Sequence, residues 1–173
     1  MSVTSNKKEL EKTLQFYEQF LKTVDEETFF SSPLSGGWSY AEVYSHIITV
    51  NYISVIAAEK CLNKVAEIKT KKPDWRVRLI LFLGKFPPGK IKAPAAVEES
   101  VKKITKEEAS NLLAKIHKKL DNLNPQYKNF DRNHKVKHPR LGYLDAKHWL
   151  RFMVVHSKHH QNQIIRIQRE LAR

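Results

Sequence analysis

Residues 145–171 read D-A-K-H-W-L-R-F-M-V-V-H-S-K-H-H-Q-N-Q-I-I-R-I-Q-R-E-L. Trp149, Phe152, Met153, His156, His160, Gln163, Ile164, Ile167 and Leu171 fall on one face at helical spacing. Asp145 stands where such a helix opens, with Leu144 and Trp149 placed to clamp across the cap. The face is apolar apart from two imidazoles and a carboxamide. Whatever buries it must therefore also meet two histidines.

Three further segments carry the same periodicity. Over residues 6–29, Leu10, Leu14, Tyr17, Leu21, Val24 and Thr28 form one stripe, which Ser31-Ser32-Pro33 and Gly36-Gly37 interrupt. The second helix opens on Ser39-Tyr40-Ala41-Glu42, a capping box with Trp38 set to staple onto Val43. Its stripe is Val43, His46, Ile47, Val50, Ser54, Ala57 and Cys61, and it is expected to end near residue 68. Thr105-Lys106-Glu107-Glu108 is a second capping box, followed by Leu112, Leu113, Ile116, Leu120 and Leu123 and closed by Asn124-Pro125. A polar loop is expected from there to Gly142.

Between the second and third helices, Pro73, Pro87, Pro88 and Pro94 leave residues 69–104 irregular, with a short helix over 74–84. No segment alternates with period two over more than a few residues. Four one-sided helices must bury their faces against each other, so the expected fold is all-α, a four-helix bundle in a single domain over 1–173. The short first connection favours antiparallel neighbours, and the long irregular helix 2–3 connection permits a crossover.

The chain has a single cysteine among 173 residues, which excludes an intrachain disulfide and a cysteine-based zinc knuckle. Its first ten residues lack the apolar core of a signal peptide. The longest nearly apolar stretch, residues 47–58, falls well short of the roughly 20 residues that span a bilayer. The chain reads as soluble and cytoplasmic, with no membrane partner. The net charge of +13 is uneven, with −4 over residues 1–59 and +8 over both 60–92 and 128–173. Such an excess attracts nucleic acid, acidic lipid or an acidic small molecule, or serves solubility alone. No nucleic-acid motif accompanies it, so nucleic acid is not an expected partner.

Of eight histidines, His46, His156 and His160 occupy core-facing positions. His156 and His160 are one turn apart on one helix, about 40° around its axis, a relation in which two imidazoles can hold one metal ion. A lone histidine on an apolar stripe is ordinarily a hydrogen-bonded core residue. Three of them are costly to bury unless they meet each other or a metal. Pattern alone leaves both readings open. His117 and His148 lie in other phases or at a helix start. Cys61 lies too far along its helix from His46 to share a site and reads as core.

Residues 37–46, G-W-S-Y-A-E-V-Y-S-H, resemble the W-[ST]-x-x-E-x-x-x-H opening of helix two in the DinB/YfiT-like superfamily of metalloenzymes. His156-Ser157-Lys158-His159-His160-Gln161-Asn162-Gln163 is similar to that superfamily's H-x-x-H-H-x-x-Q. His138-Pro139-Arg140-Leu141-Gly142, with Leu144 and Trp149, resembles the H-P-x-x-G-x-L stretch of one subgroup. The resemblance spans residues 6–171 but is specific only at these places, and residues 63–104 find no match.

The resemblance implies an up-down-down-up bundle and one divalent metal on His46, His156 and His160. His159 and Gln163 would then support the ligands or meet substrate. Three neutral imidazoles leave an open position, which marks a catalytic rather than a structural site. Imidazole suits zinc, nickel, copper and iron; zinc or nickel is expected first, with iron or manganese as alternatives. Two chemistries follow, hydrolysis of an ester or amide and attack of a thiolate on an electrophile. The resemblance favours the second, transfer of a low-molecular-weight thiol whose carboxylates Arg151, Arg166 and the basic 60–92 segment would pair. The alternatives are a metal-dependent hydrolase and a non-catalytic basic module for acidic partners. Glu42, one turn before His46, is a candidate base, although its capping role accounts for it. A small-molecule substrate and a homodimer complete the expected partners.

Overall fold

The computed structural model describes residues 2–33, 36–87, 101–128 and 130–171. Helix α1 spans Val3–Thr23, with Ser2 accepting from the Ser5 amide. The expected single helix over 6–29 is in fact two. Val24 leaves the helical region, and Asp25 recaps a short α2, Glu26–Phe30, by accepting from the Thr28 amide. An Asp followed by Glu26 and Glu27 is a strong new start, because capping oxygen and acidic first turn both favour it. Phe29 is thereby folded back into the core.

Helix α3, Tyr40–Leu62, starts on the expected capping box. It stops at Leu62, six residues before the expected end. Lys64 adopts φ 58, its amide and that of Val65 returning to the carbonyls of Cys61 and Lys60. This is a Schellman closure built without glycine. The chain then forms β1, Glu67–Ile68, and α4, Trp75–Leu83, which falls within the helix expected over 74–84. Residues 88–100 of the predicted connection lie outside the described residues.

Helix α5, Lys106–Leu123, opens on the second capping box and runs into a 3-10 turn, Asn124–Lys128. The loop expected to Gly142 contains two strands, β2 (His134–His138) and β3 (Gly142–Leu144). With β1 they make a small antiparallel sheet, Ile68 opposite His134 and Val136 opposite Leu144. Long-range pairing with residues 67–68 creates it, which local periodicity does not reveal. Helix α6, Ala146–Leu171, is the long face described above, with Asp145 accepting from the His148 amide at its start.

Helix directions follow from the contacts. Tyr44 gives its hydroxyl to the Tyr17 carbonyl, and Phe20 packs on Tyr40, so α1 and α3 are antiparallel. Lys106 reaches the Val24 carbonyl while Lys7 reaches that of Asn124, so α5 opposes α1. Asn6 and Glu9 meet Arg151, while Tyr17 meets Ser157, so α6 runs with α1. The order is up-down-down-up. Tyr17, Tyr44, Phe29, Ile47, Leu113, Ile116, Leu150 and Met153 fill the centre. Each such side chain contributes roughly 1.5–3 kcal/mol of transfer free energy.

Candidate metal centre

Two local features bring three imidazoles together. The capping box fixes where α3 begins, and with it the phase of His46. The antiparallel crossing of α3 and α6 sets His46 against the His156/His160 face. The Nε2 atoms of His46 and His156 are 3.1 Å apart, and those of His160 and His156 are 3.2 Å apart. All three ligand atoms lie within 4.8 Å of one another. A metal 2.0–2.1 Å from each nitrogen would place neighbouring nitrogens about 3.0–3.4 Å apart for bond angles of 90–110°.

The protonation pattern suits a cation. His160 directs Nδ1 at the Gln163 Oε1, 2.6 Å away. That oxygen can only accept, so Nδ1 carries the hydrogen and Nε2 presents a lone pair. Burial first, then neighbouring imidazoles, pushes His160 down to about 3. Burial first, then His159, pushes His46 down to about 4. His156 is held well below the ordinary value by burial and then by His160. Burial thus favours the neutral form of all three rings. A single hydrogen on the His156 Nε2 could reach the other two lone pairs only as one shared, bifurcated bond, whereas one cation takes a lone pair from all three. The donor set therefore fits a divalent metal. Nδ1 of His156 is buried and has no partner among the described residues.

Aromatic rings enclose the cluster. Trp38 lies 5.1 Å from the His46 ring, and Phe152 lies 5.4 Å from that of His156. On the far side of Phe152 sits His138, its Nδ1 accepting from the amides of Arg140 and Leu141 in the hairpin between β2 and β3. Beneath the site, Asn51 and Ser157 bond reciprocally, and Tyr17 bonds the Ser157 carbonyl at 2.5 Å. These contacts clamp α3 and α1 to the turn of α6 that carries His156. Sequence reasoning missed these supports. The signal was there in Asn51, a polar residue inside an apolar run, and in Ser157, adjacent to a clustered histidine.

The other predicted residues take varied places. Gln163 orients His160. His159 is exposed, its ring 5.0 Å from His160 and 5.5 Å from Phe86, at the rim. Partial desolvation of its ring, and then Arg166, which is exposed nearby, lower its pKa. Glu42 is occupied by its cap, Oε2 accepting from the Ser39 amide at 2.8 Å and hydroxyl at 2.7 Å. Arg151 differs from expectation. It is buried and committed to the Leu81 carbonyl, Glu9 and Asn6, because its position on α6 faces α1 and α4 rather than α3. Cys61 is a core residue whose thiol points at the Leu144 carbonyl, burial pushing it up to about 12.

A family model described as the DinB superfamily matches residues 9–164. No curated protein matches the chain. Among solved structures, TT2238, described as a four-helix bundle protein, aligns with TM-score 0.58 and 18% identity over 94% of this chain and 98% of its own. YfiT from Bacillus subtilis aligns with TM-score 0.57 and 18% identity over 99% of this chain and 90% of its own. It is described as a probable metal-dependent hydrolase with an unusual four-helix bundle topology. At that identity the two likenesses establish the bundle fold.

Proposed function

Because the chain belongs to the DinB superfamily, we propose that it is a metal-dependent enzyme whose divalent ion is held by His46, His156 and His160. The observation that carries this is the convergence of three neutral Nε2 atoms within 4.8 Å. A divalent ion held there supplies an open position that lowers the pKa of a water or thiol toward neutrality. Gln163 holds the tautomer of His160, and Trp38 and Phe152 keep the ligand rings in a medium of low dielectric. His159 and Arg166 stand at the rim, where an anionic group of a substrate would find a hydrogen bond and a positive charge.

The finer reading we carry forward is transfer of a low-molecular-weight thiol bearing carboxylates, with Arg166 as the pairing cation. Metal-dependent hydrolysis is the rival, and the description of YfiT favours it. Arg151 leaves the set of substrate cations, since its donors are already committed. The test begins with elemental analysis of protein purified without a histidine tag. One equivalent of zinc, nickel, iron or manganese is expected, and no metal under any loading condition would remove the enzyme reading. Thiols with a simple electrophile are then assayed against esters and amides. Thiol consumption whose KM rises in Arg166→Ala supports transfer, and ester cleavage without thiol supports hydrolysis.

A further inference from the structure

Helix α4 buries only one side. Val77 and Leu81 face the bundle, while Trp75, Leu79, Phe82 and Leu83 are 64%, 46%, 75% and 59% exposed. At about 100° per residue these four share an outer arc about 100° wide. Arg78 lies on one edge of that arc and Arg76 on the other, both exposed. Arg76 leans over the Trp75 ring. A shallow cavity of about 610 Å³ opens beside the helix, where Trp75, Leu79 and Phe82 meet Arg78, Arg132 and Lys147. Over residues 69–87 there are six basic residues and one acidic residue, Asp74. Among the described residues no carboxylate pairs with Arg76, Arg78 or Lys147, whereas Arg132 is held by Asp145 at 3.3 Å.

A contiguous apolar patch of this kind marks a contact surface. Its chemistry selects the occupant. A second copy packed on the same face about a twofold axis would bring these cations against their own equivalents. An anionic bilayer supplies both complements at once, an apolar layer for the centre of the arc and phosphates for its flanks. Aromatic and leucine side chains flanked by arginines are what a helix lying in the interface requires. Nine residues cannot cross a membrane, and no helix among the described residues is long and apolar enough to do so. A helix lying flat on a bilayer departs from the expectation of no membrane partner, which rests on the lack of a spanning segment.

We propose that α4 is an interfacial helix that seats the protein on an anionic phospholipid surface. Trp75, Leu79, Phe82 and Leu83 enter the acyl boundary, and Arg76, Arg78 and Lys147 pair with headgroup phosphates. This inference is independent of the metal site.

The test uses the full chain with vesicles of phosphatidylcholine alone or with about 30% phosphatidylglycerol. Sedimentation with the anionic vesicles only is expected, weakened by salt, with a blue shift of tryptophan emission that Trp75→Phe abolishes while binding persists. Arg76→Gln with Arg78→Gln should lower partitioning roughly fivefold for each cation removed. Leu79→Glu with Phe82→Glu should abolish it, both double variants keeping the helical spectrum. No vesicle binding by the wild type, or equal binding to neutral vesicles, would overturn the proposal. So would a dimer in light scattering that the Leu79/Phe82 variant dissociates while vesicles are ignored, since α4 would then be a self-interface. If a variant fails to fold, the wild-type emission shift and its salt titration decide, and an unshifted Trp75 rejects insertion.

Discussion

The Nδ1 of His160 and the Oε1 of Gln163 lie 2.6 Å apart, one turn along the same helix. That contact decides which nitrogen of His160 is available, because an amide oxygen accepts and cannot donate. In Gln163→Ala the ring loses both its orientation and its fixed tautomer. Metal affinity should fall about 10- to 100-fold, as when outer hydrogen-bond partners of ligand histidines are removed. Chelator competition measures this. Unchanged affinity in Gln163→Ala would mean that Gln163 only fills space.

His46→Ala and His160→Ala should each lose stoichiometric metal while keeping the helical spectrum. Each removes one of three nitrogens and leaves the caps at Ser39, Thr105 and Asp145 untouched. His117→Ala should retain metal, since that ring pairs with Glu18 between α5 and α1. Full metal content in both site variants would overturn the ligand assignment.

Without metal, stability should fall as pH drops from about 6.5. Burial first lowers His46 and His138 to about 4 and His160 to about 3. Between those values and the ordinary one, the unfolded chain binds protons that the folded chain does not. Stability therefore rises with pH through this window and is complete above it. Urea midpoints of the metal-free protein at successive pH values read the slope, and His160→Gln should flatten it. A midpoint that stays constant from pH 6.5 to 4 would contradict the burial of these rings.

Helix starts are legible in this sequence because a cap is a local bond between a side chain and an amide three residues on. Ser39, Thr105 and Asp145 each announce one. Helix ends are less so. Lys64 closes α3 in a left-handed conformation usually left to glycine or asparagine, and no local rule marks it. The break before Asp25 is hidden because the apolar stripe continues across both α1 and α2. The strand β2 is hidden because its Lys135 is buried, its ammonium bonded to the Lys71 carbonyl, so the alternation of an exposed hairpin is missing. In the site, helical phase alone brings His46, His156 and His160 to one seam. It cannot tell Arg151 from Arg166, because what separates a structural arginine from a rim arginine is the neighbouring helix.

Arg151 gives the sharpest distinction between a substrate cation and a strut. Its Nε donates to the Leu81 carbonyl at 2.7 Å, near the C-terminus of α4, and its Nη1 to Glu9 at 2.9 Å on α1. Burial alone would raise the Glu9 carboxyl, but Lys158 and then Arg151 outweigh it and lower its pKa. Arg151→Ala leaves Glu9 paired with Lys158 alone, frees the Leu81 carbonyl and unties α4, at a cost of about 1–3 kcal/mol, the scale of losing one buried charge-assisted bond. Gly84 provides an independent check. It caps α4 at φ 70, and a methyl there would collide with the Arg151 guanidinium. Gly84→Ala should therefore destabilise by about 1–3 kcal/mol through strain and displacement of that group. Both variants should lower the urea midpoint while leaving thiol or ester KM and metal content in the folded fraction unchanged. A raised KM for an anionic substrate in Arg151→Ala, at unchanged stability, would return this arginine to the substrate site.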